Sequence, residues 1–211
     1  RVRSSAASDV YKRQILFMKL RRWQQKVIDE FPEITKNYKK FILKAPTGAG
    51  KTVLASEIIN RFYKNKKIVV LCHRLVLLEQ LEKGLSTDHK VKKLGLSEEG
   101  TPFENYDVLI STNLRSRDFL QNAIKHCDLL IIDEAHRVSP NGQAYKELLD
   151  QFDKESAEQS KLLGLTASPE RRTGDQKDQL GLAFDAIIDC ADIEELILSL
   201  IHISEPTRRT P

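Results

Sequence analysis

Short apolar runs alternate along the middle of the chain with segments in which apolar residues have helical spacing. The runs are residues 41–45, 68–72, 107–111, 129–132, 162–166 and 184–189. The helical segments are residues 19–30, 51–63, 75–85, 115–125, 143–152 and 193–198. Runs without polar alternation are typical of strands buried on both faces of a parallel sheet. The pattern therefore predicts an α/β fold, a three-layer αβα sandwich with a mostly parallel central sheet and ligands at the carboxyl ends of its strands.

The charged stretches between these segments are predicted to lie on the protein surface. Residues 36–40 and 88–93 fit short charged loops, and residues 150–161 fit a solvated helix face and loop. Trp23 lies between apolar residues at helical spacing, so a core position is favoured over stacking on a base. Cys72 and Cys127 flank buried runs and are predicted to be small apolar fillers.

The two ends of the chain lack both patterns. Each resembles translated sequencing-adapter read-through, and the only methionine, Met18, lies just before the first patterned segment. We expect residues 1–17 and 199–211 to be non-native and residues 18–198 to form one domain. Residues 1–14 hold four basic residues and one acidic, and residues 199–211 hold two basic and one acidic. The formal net charge of +4 therefore belongs to the ends, because the other 28 basic and 28 acidic residues cancel.

Composition excludes several classes of protein. The three cysteines lie far apart, in no metal-ligand spacing, and their odd number does not suit a disulfide scaffold. No apolar run is long enough to span a bilayer, and the start of the chain has no signal-peptide pattern. These features predict a cytoplasmic protein without a membrane partner.

A loop with phosphate-binding character, Ala-Pro-Thr-Gly-Ala-Gly-Lys-Thr at 45–52, lies between the first run and a helix. Backbone N–H groups of such a loop surround a phosphate chain, and the helix dipole favours its negative charge. Gly48 and Gly50 allow the tight turn, Lys51 neutralises the β- and γ-phosphates, and the Thr52 hydroxyl is a ligand for Mg²⁺. The predicted nucleotide contacts are Thr47, Gly48, Ala49, Gly50, Lys51 and Thr52. Ala45 departs from the strict pattern, which has Gly there, and an ordinary strand-to-helix turn is the alternative.

Two acidic residues follow the run at 129–132. Asp133 is predicted to hold Mg²⁺ through its waters, and Glu134 to polarise the attacking water in phosphoryl transfer. His136 is a candidate sensor of the γ-phosphate that passes this state to another site. An acid pair at a strand end is otherwise often a helix cap.

Together these motifs resemble motifs I, II and III of superfamily 2 helicases. They are residues 45–52, Asp-Glu-Ala-His at 133–136 and Thr-Ala-Ser-Pro at 166–169, and the likeness covers residues 18–198. It implies a RecA-like P-loop domain that uses ATP and Mg²⁺. Leu-Arg-Arg-Trp-Gln at 20–24 is similar to the segment whose Gln contacts adenine, which implies that role for Gln24, with Arg21 beside it.

Further segments resemble the motifs that touch nucleic acid in this family. His73 and Arg74, with Glu-Gln at 79–80, resemble motif Ia. The same likeness implies coupling or backbone contacts for Ser111, Thr112, Thr166 and Ser168.

The segment after the third motif resembles one branch of this family in particular. Residues 166–174 and 180–185 are similar to a pattern in the branch of the type III restriction subunit and DNA repair helicases, so DNA is favoured over RNA. Ser168 stands where the pattern has Thr, and Thr173 where it has Asp.

The resemblance implies a motor in which two RecA-like domains close on ATP, coupling hydrolysis to translocation on nucleic acid or its unwinding. No second such series follows here, so we expect the second domain to be absent from this chain. We also expect the chain alone to bind Mg·ATP weakly and hydrolyse it hardly at all. The alternatives are a P-loop ATPase of another kind and a nucleotide- or nucleic-acid-binding module without turnover.

Overall fold

The computed structural model describes residues 20–72, 75–95, 98–112, 117–137, 143–168 and 183–191. Its helices are α1 (Arg22–Asn37), α2 (Lys51–Phe62), α3 (Leu75–Gly84), α4 (Arg117–Lys125) and α5 (Gln143–Glu155), with a 3₁₀ turn at Ala135–Arg137. Its strands are β1 (Lys40–Lys44), β2 (Ile68–Cys72), β3 (Val91–Lys93), β4 (Val108–Thr112), β5 (Leu129–Asp133), β6 (Lys161–Thr166) and β7 (Ala186–Asp189).

The strands described form one sheet in the order β3-β4-β2-β5-β6-β1-β7. Every neighbouring pair is parallel. The predicted α/β fold with a parallel central sheet is confirmed. Since parallel strands all end at one edge, the loops that follow β1, β5 and β6 meet there.

Apolar residues on both faces of the sheet explain the three layers. Phe41 and Leu43 of β1 pack with α1, α2 and α3, whereas Ile42 between them packs with α4 and α5. Trp23 is 1% exposed in the first of these cores, as predicted. Strands with apolar residues on both sides need helices on both sides to remove them from water.

Aspartates hold together the opposite edge of the sheet, where strands begin. Asp185 accepts the backbone N–H groups of Lys39 and Lys40. Asp128 accepts the N–H of Lys67, and Asp107 that of Lys90. Each aspartate precedes one strand and satisfies a backbone donor at the start of a neighbouring one.

Several predicted boundaries were wrong. Residues 88–93 were expected to form a loop, but 91–93 form edge strand β3, which pairs with β4 through backbone groups. The first helix runs to Asn37 and not to residue 30, since Phe31 and Ile34 are buried beyond that point. Residues 36–40 are accordingly not all loop, because they include the end of α1 and the first residue of β1. The predicted helix at 193–198 lies outside the described residues.

Two further observations concern the disulfide-scaffold and membrane classes of protein that the sequence excludes. Cys72, Cys127 and Cys190 are all buried and unbridged, and the filler role predicted for Cys72 and Cys127 is confirmed. Among the helices in the described ranges, none combines the length and the apolar character that a membrane span requires.

Candidate nucleotide-binding site

The predicted phosphate loop lies between the end of β1 and the first residue of α2. Gly48 and Gly50 have φ angles of +75° and +95°, a region that favours glycine. Ala49 between them is buried, and its N–H donates to the carbonyl of Pro46 at 3.2 Å. Thr47 and Gly48 are exposed, so the loop is open to solvent at its tip.

Gln24 and Arg21 of the first helix contact this loop. The Nε2 atom of Gln24 donates to the carbonyl of Gly50 at 2.9 Å, and its Oε1 accepts the N–H of Arg21 at 2.8 Å. The Arg21 guanidinium lies 3.4 Å from the carbonyl oxygen of Gly48. The structure therefore brings the loop together with Gln24, the predicted adenine contact, and with Arg21.

Lys51 lies folded back over the start of the loop. Its Nζ donates to the carbonyls of Ala45 and Pro46 at 3.0 and 3.2 Å. Burial lowers the pKa of Lys51, while the charges of Glu134 and Asp133 act in the opposite direction. The cation is thus near both carboxylates although 82 residues or more separate them in sequence.

Strand register explains how the three motifs meet. Lys44 at the end of β1 pairs with Thr166 at the end of β6, and Asp133 at the end of β5 pairs with Leu165. The N–H of Ala45 continues the ladder by donating to the carbonyl of Thr166 at 3.0 Å. The end of β6 therefore lies between the phosphate loop and the acidic pair.

His136 joins the acidic segment to β6. Its Nδ1 lies 3.0 Å from Thr166 Oγ1 and 3.2 Å from Glu134 Oε2. The Thr166 hydroxyl donates to the carbonyl of Ser168 at 3.1 Å and accepts the Ser168 N–H at 3.2 Å. Glu134 has a φ of +53°, a strained conformation for a residue other than Gly.

Sequence reasoning missed Gly164. A Cβ there would lie 2.9 Å from Ala135 Cβ, 3.0 Å from Ile42 Cγ1 and 3.1 Å from Phe184 Cε1. Its small size lets the 3₁₀ turn that carries His136 pack directly on β6. A Gly inside an apolar strand is the signal that could have found it, since it often marks a close approach.

The residues predicted to touch nucleic acid differ in their exposure to solvent. Ser111 and Thr166 are fully buried, whereas Ser168 is exposed. Thr112 ends β4. His73 and Arg74 lie outside the described residues.

The donor atoms present suit Mg²⁺, which prefers oxygen ligands and keeps several waters and phosphate oxygens around it. Thr52, the second residue of α2, offers a hydroxyl, and Asp133 offers a carboxylate at the end of β5. Across the described ranges, no group of three or more His, Cys, Asp and Glu could hold a metal by itself. A cation shared with a nucleotide fits this arrangement better than a closed protein site.

A parallel sheet with a phosphate loop after one strand and an acidic pair at the end of another, with one strand between them, defines a P-loop domain of the RecA-like class. The family model for "Type III restriction enzyme, res subunit" matches residues 17–171. The chain belongs to this family, and the resemblance to superfamily 2 helicases is confirmed.

Relatives in curated collections agree with this family. A Saccharomyces cerevisiae protein named as an ATP-dependent helicase, IRC3, is 30% identical over 192 residues, which is 84% of this chain and 27% of that protein. The type I restriction enzyme EcoAI endonuclease subunit of Escherichia coli is 30% identical over 162 residues, 71% of this chain and 19% of that subunit. The chain thus spans about a quarter or less of the length of these relatives.

Solved structures share the fold at lower identity. The UvsW protein of bacteriophage T4 superposes with a TM-score of 0.63 at 17% identity, covering 83% of this chain and 35% of UvsW. The type ISP restriction-modification enzyme LlaGI, solved with a DNA substrate mimic, has a TM-score of 0.60 at 18% identity, covering 89% of this chain and 21% of the enzyme.

Proposed function

We propose that this chain is the ATP-binding domain of a nucleic-acid-dependent motor ATPase. One observation carries the proposal: strand register brings the phosphate loop after β1 and the acidic pair at the end of β5 to the same end of β6, so that Lys51 lies near Asp133 and Glu134. A phosphate chain bound in the loop would replace the carbonyls of Ala45 and Pro46 as partners of the Lys51 ammonium. The same loop offers backbone N–H groups and the start of α2, which together favour an anion.

Each side chain of the site has a proposed role. Gln24 and Arg21 border the adenine end, Thr52 and Asp133 hold Mg²⁺, and Glu134 orients and polarises the attacking water. Bound Mg²⁺ would neutralise charge on the β- and γ-phosphates. His136 would transmit the state of this end of the site to Thr166.

Nucleotide binding to the purified chain tests this role. We expect a fluorescent ATP analogue to bind in the presence of Mg²⁺ and Lys51→Ala to weaken it at least tenfold, since a charge-assisted contact to phosphate is lost. Lys26→Ala, an exposed lysine of α1, is the matched control and should bind normally. Equal affinity of Lys51→Ala and the unchanged chain would contradict the proposal.

For the whole protein we propose ATP hydrolysis coupled to translocation on nucleic acid or its unwinding. Family membership supports this activity, and the names of relatives point the same way. DNA is favoured over RNA because LlaGI and a Sulfolobus solfataricus SWI2/SNF2 ATPase core, similar in fold, were solved with a DNA mimic and with dsDNA. His73, Arg74, Ser111, Thr112, Thr166 and Ser168 are the proposed coupling or nucleic-acid residues.

The domain limits are part of the same proposal. Residues 18–198 would form the first RecA-like domain, and the whole protein would supply a second that completes the hydrolytic site. The three buried, unbridged thiols support a reducing, cytoplasmic location. In ATPase assays of this chain with and without single- and double-stranded DNA and RNA, substantial turnover that does not depend on nucleic acid would favour a P-loop ATPase indifferent to nucleic acid. We expect turnover close to background in every condition, and robust stimulated turnover would refute the need for a second domain.

A further inference from the structure

Two neighbouring helices begin at two different predicted ligand motifs. α2 begins at Lys51, inside the phosphate loop. α3 begins at Leu75, immediately after His73 and Arg74 in the chain. Contacts between these helices therefore connect the nucleotide site with a segment expected to touch nucleic acid.

Ser56 forms the first polar contact between α2 and α3. Its Oγ lies 3.1 Å from the carbonyl oxygen of Thr52 in its own helix and 3.3 Å from that of Leu81 in α3. The side chain is buried, so both carbonyls compete for one hydroxyl proton away from water. The helices approach closely here, because a Cβ on Gly84 would lie 2.6 Å from Ser56 Oγ.

Asn60, one turn later in α2, forms the second contact. Its Nδ2 donates to the carbonyl of Gly84 at 3.0 Å, and its Oδ1 accepts the N–H of Ser86 at 2.9 Å. The last carbonyls of a helix lack partners within the helix, so a side chain that supplies one fixes that helix end. The Asn60 amide therefore attaches the end of α3 to the last turn of α2 at two atoms.

Polar and apolar contacts restrain a helix differently. Leu81 and Leu85 pack in the core against the sheet, and apolar surfaces can slide past each other over small distances. Hydrogen bonds from Ser56 and Asn60 have narrow ranges of distance and angle. If α2 is displaced, its hydrogen bonds to α3 would therefore move α3 along with it. The apolar contacts between α3 and the sheet would resist this displacement less.

We propose that Ser56 and Asn60 are positioning residues that make α2 and α3 respond to nucleotide as one body. The inference rests on the proposed ATP-binding function. Phosphate bound at the start of α2 changes the position or mobility of that helix, and the two side chains pass this change to α3.

Hydrogen exchange of the full chain, measured by mass spectrometry with and without saturating Mg²⁺ and ATPγS, tests this coupling. We expect nucleotide to slow exchange in both α2 and α3 of the unchanged chain. In Asn60→Ala, the effect on α2 should persist and the effect on α3 should fall by at least half. Ser56→Ala, which removes only a hydroxyl, should show the same loss of the nucleotide effect on α3. It is the test variant if Asn60→Ala does not fold.

Ser160→Ala is the matched control, because it also removes one buried hydroxyl, which donates to the carbonyl of Cys127 at 2.7 Å away from both helices. It should leave the nucleotide effect on α3 unchanged. Fraying of α3 would also remove the nucleotide effect, so the comparison uses the variant, Asn60→Ala or Ser56→Ala, whose α3 exchanges without nucleotide at the rate of the unchanged chain.

The remaining outcomes separate the two proposals. A full nucleotide effect on α3 in both Asn60→Ala and Ser56→Ala overturns the coupling, and so does an equal loss in Ser160→Ala. An unchanged chain that responds in α2 but not in α3 also overturns it. No response anywhere in the unchanged chain contradicts nucleotide binding itself, and with it the proposed function.

Discussion

The side-chain amide of Gln24 donates to the carbonyl oxygen of Gly50 at 2.9 Å, which links the first helix to the phosphate loop at the residue before α2. The other end of this amide accepts the N–H of Arg21 at 2.8 Å. Because the two ends have different partners, the orientation of the amide is defined. Each end can form one further hydrogen bond, so the same side chain is able to hold the loop and meet a base.

Gln24→Ala should weaken nucleotide binding and also lower the stability of the chain. Loss of the bond to Gly50 removes about 1 kcal/mol, equivalent to about fivefold in affinity where the loop must be ordered to bind. Titration with a fluorescent ATP analogue measures the first effect, and urea unfolding the second. Gln25→Ala is the matched control, since Gln25 Nε2 donates to Asp29 within the same helix. Equal losses in both variants would show that only the helix, and not the loop, depends on Gln24.

Gly50→Ala should destabilise the chain more than Gly48→Ala. Both residues have positive φ, which costs a residue with a Cβ about 1–2 kcal/mol. At Gly50 the added Cβ would also lie 2.8 Å from Gln24 Nε2, whereas at Gly48 nothing lies within 4 Å of it. Urea unfolding of the two variants without nucleotide measures the difference. Equal losses in the two variants would show that φ alone decides, and a larger loss at Gly48 would contradict the prediction.

The sequence predicted the sheet well because its strands are apolar on both faces, which leaves few alternatives. It failed where backbone pairing or packing overrides local pattern. β3 contains Lys92 and Lys93 and joins the sheet by its backbone, so no apolar pattern marks it. α1 continues past Pro32, because burial of Phe31 and Ile34 and the Thr35 hydroxyl bonds to the carbonyls of Phe31 and Pro32 support the extra turn.

At the site, motif spacing predicted which residues take part but not the contacts that they make with one another. Lys51 was expected to meet phosphate, and in the structure its Nζ donates to the carbonyls of Ala45 and Pro46. The contact between His136 and Thr166 depends on the register of β5 and β6 and on the small size of Gly164. Neither condition can be inferred from the spacing of two motifs.

Neutral His136 should carry its proton on Nδ1. The Thr166 hydroxyl donates to the carbonyl of Ser168, so its oxygen is left as acceptor for Nδ1, and Glu134 Oε2 is a second acceptor at 3.2 Å. Long-range ¹H–¹⁵N correlation spectra report the tautomer, with His136→Gln to assign the signals. Thr166→Val should lower the Nδ1–H population and cost about 1–3 kcal/mol of unfolding free energy, while Thr166→Ser should keep the tautomer. A predominant Nε2–H form in the unchanged chain would contradict the arrangement.

The three cysteines should resist alkylation while the chain is folded. Burial raises the pKa of Cys72, Cys127 and Cys190 to about 12, against an ordinary value of 9.0. The thiolate is the reactive form, so at pH 8 iodoacetamide should label none of them at the rate seen in urea, as mass spectrometry of the intact chain can measure. The same shift predicts a pH dependence: a thiol pKa raised by folding stabilises the folded chain fully below pH 9, and this contribution is lost as the pH rises towards 12. The free energy of unfolding should therefore fall between pH 8 and pH 10.5. In the alkylation experiment, rapid labelling of any one thiol in the folded chain would show that this thiol is not buried in the core.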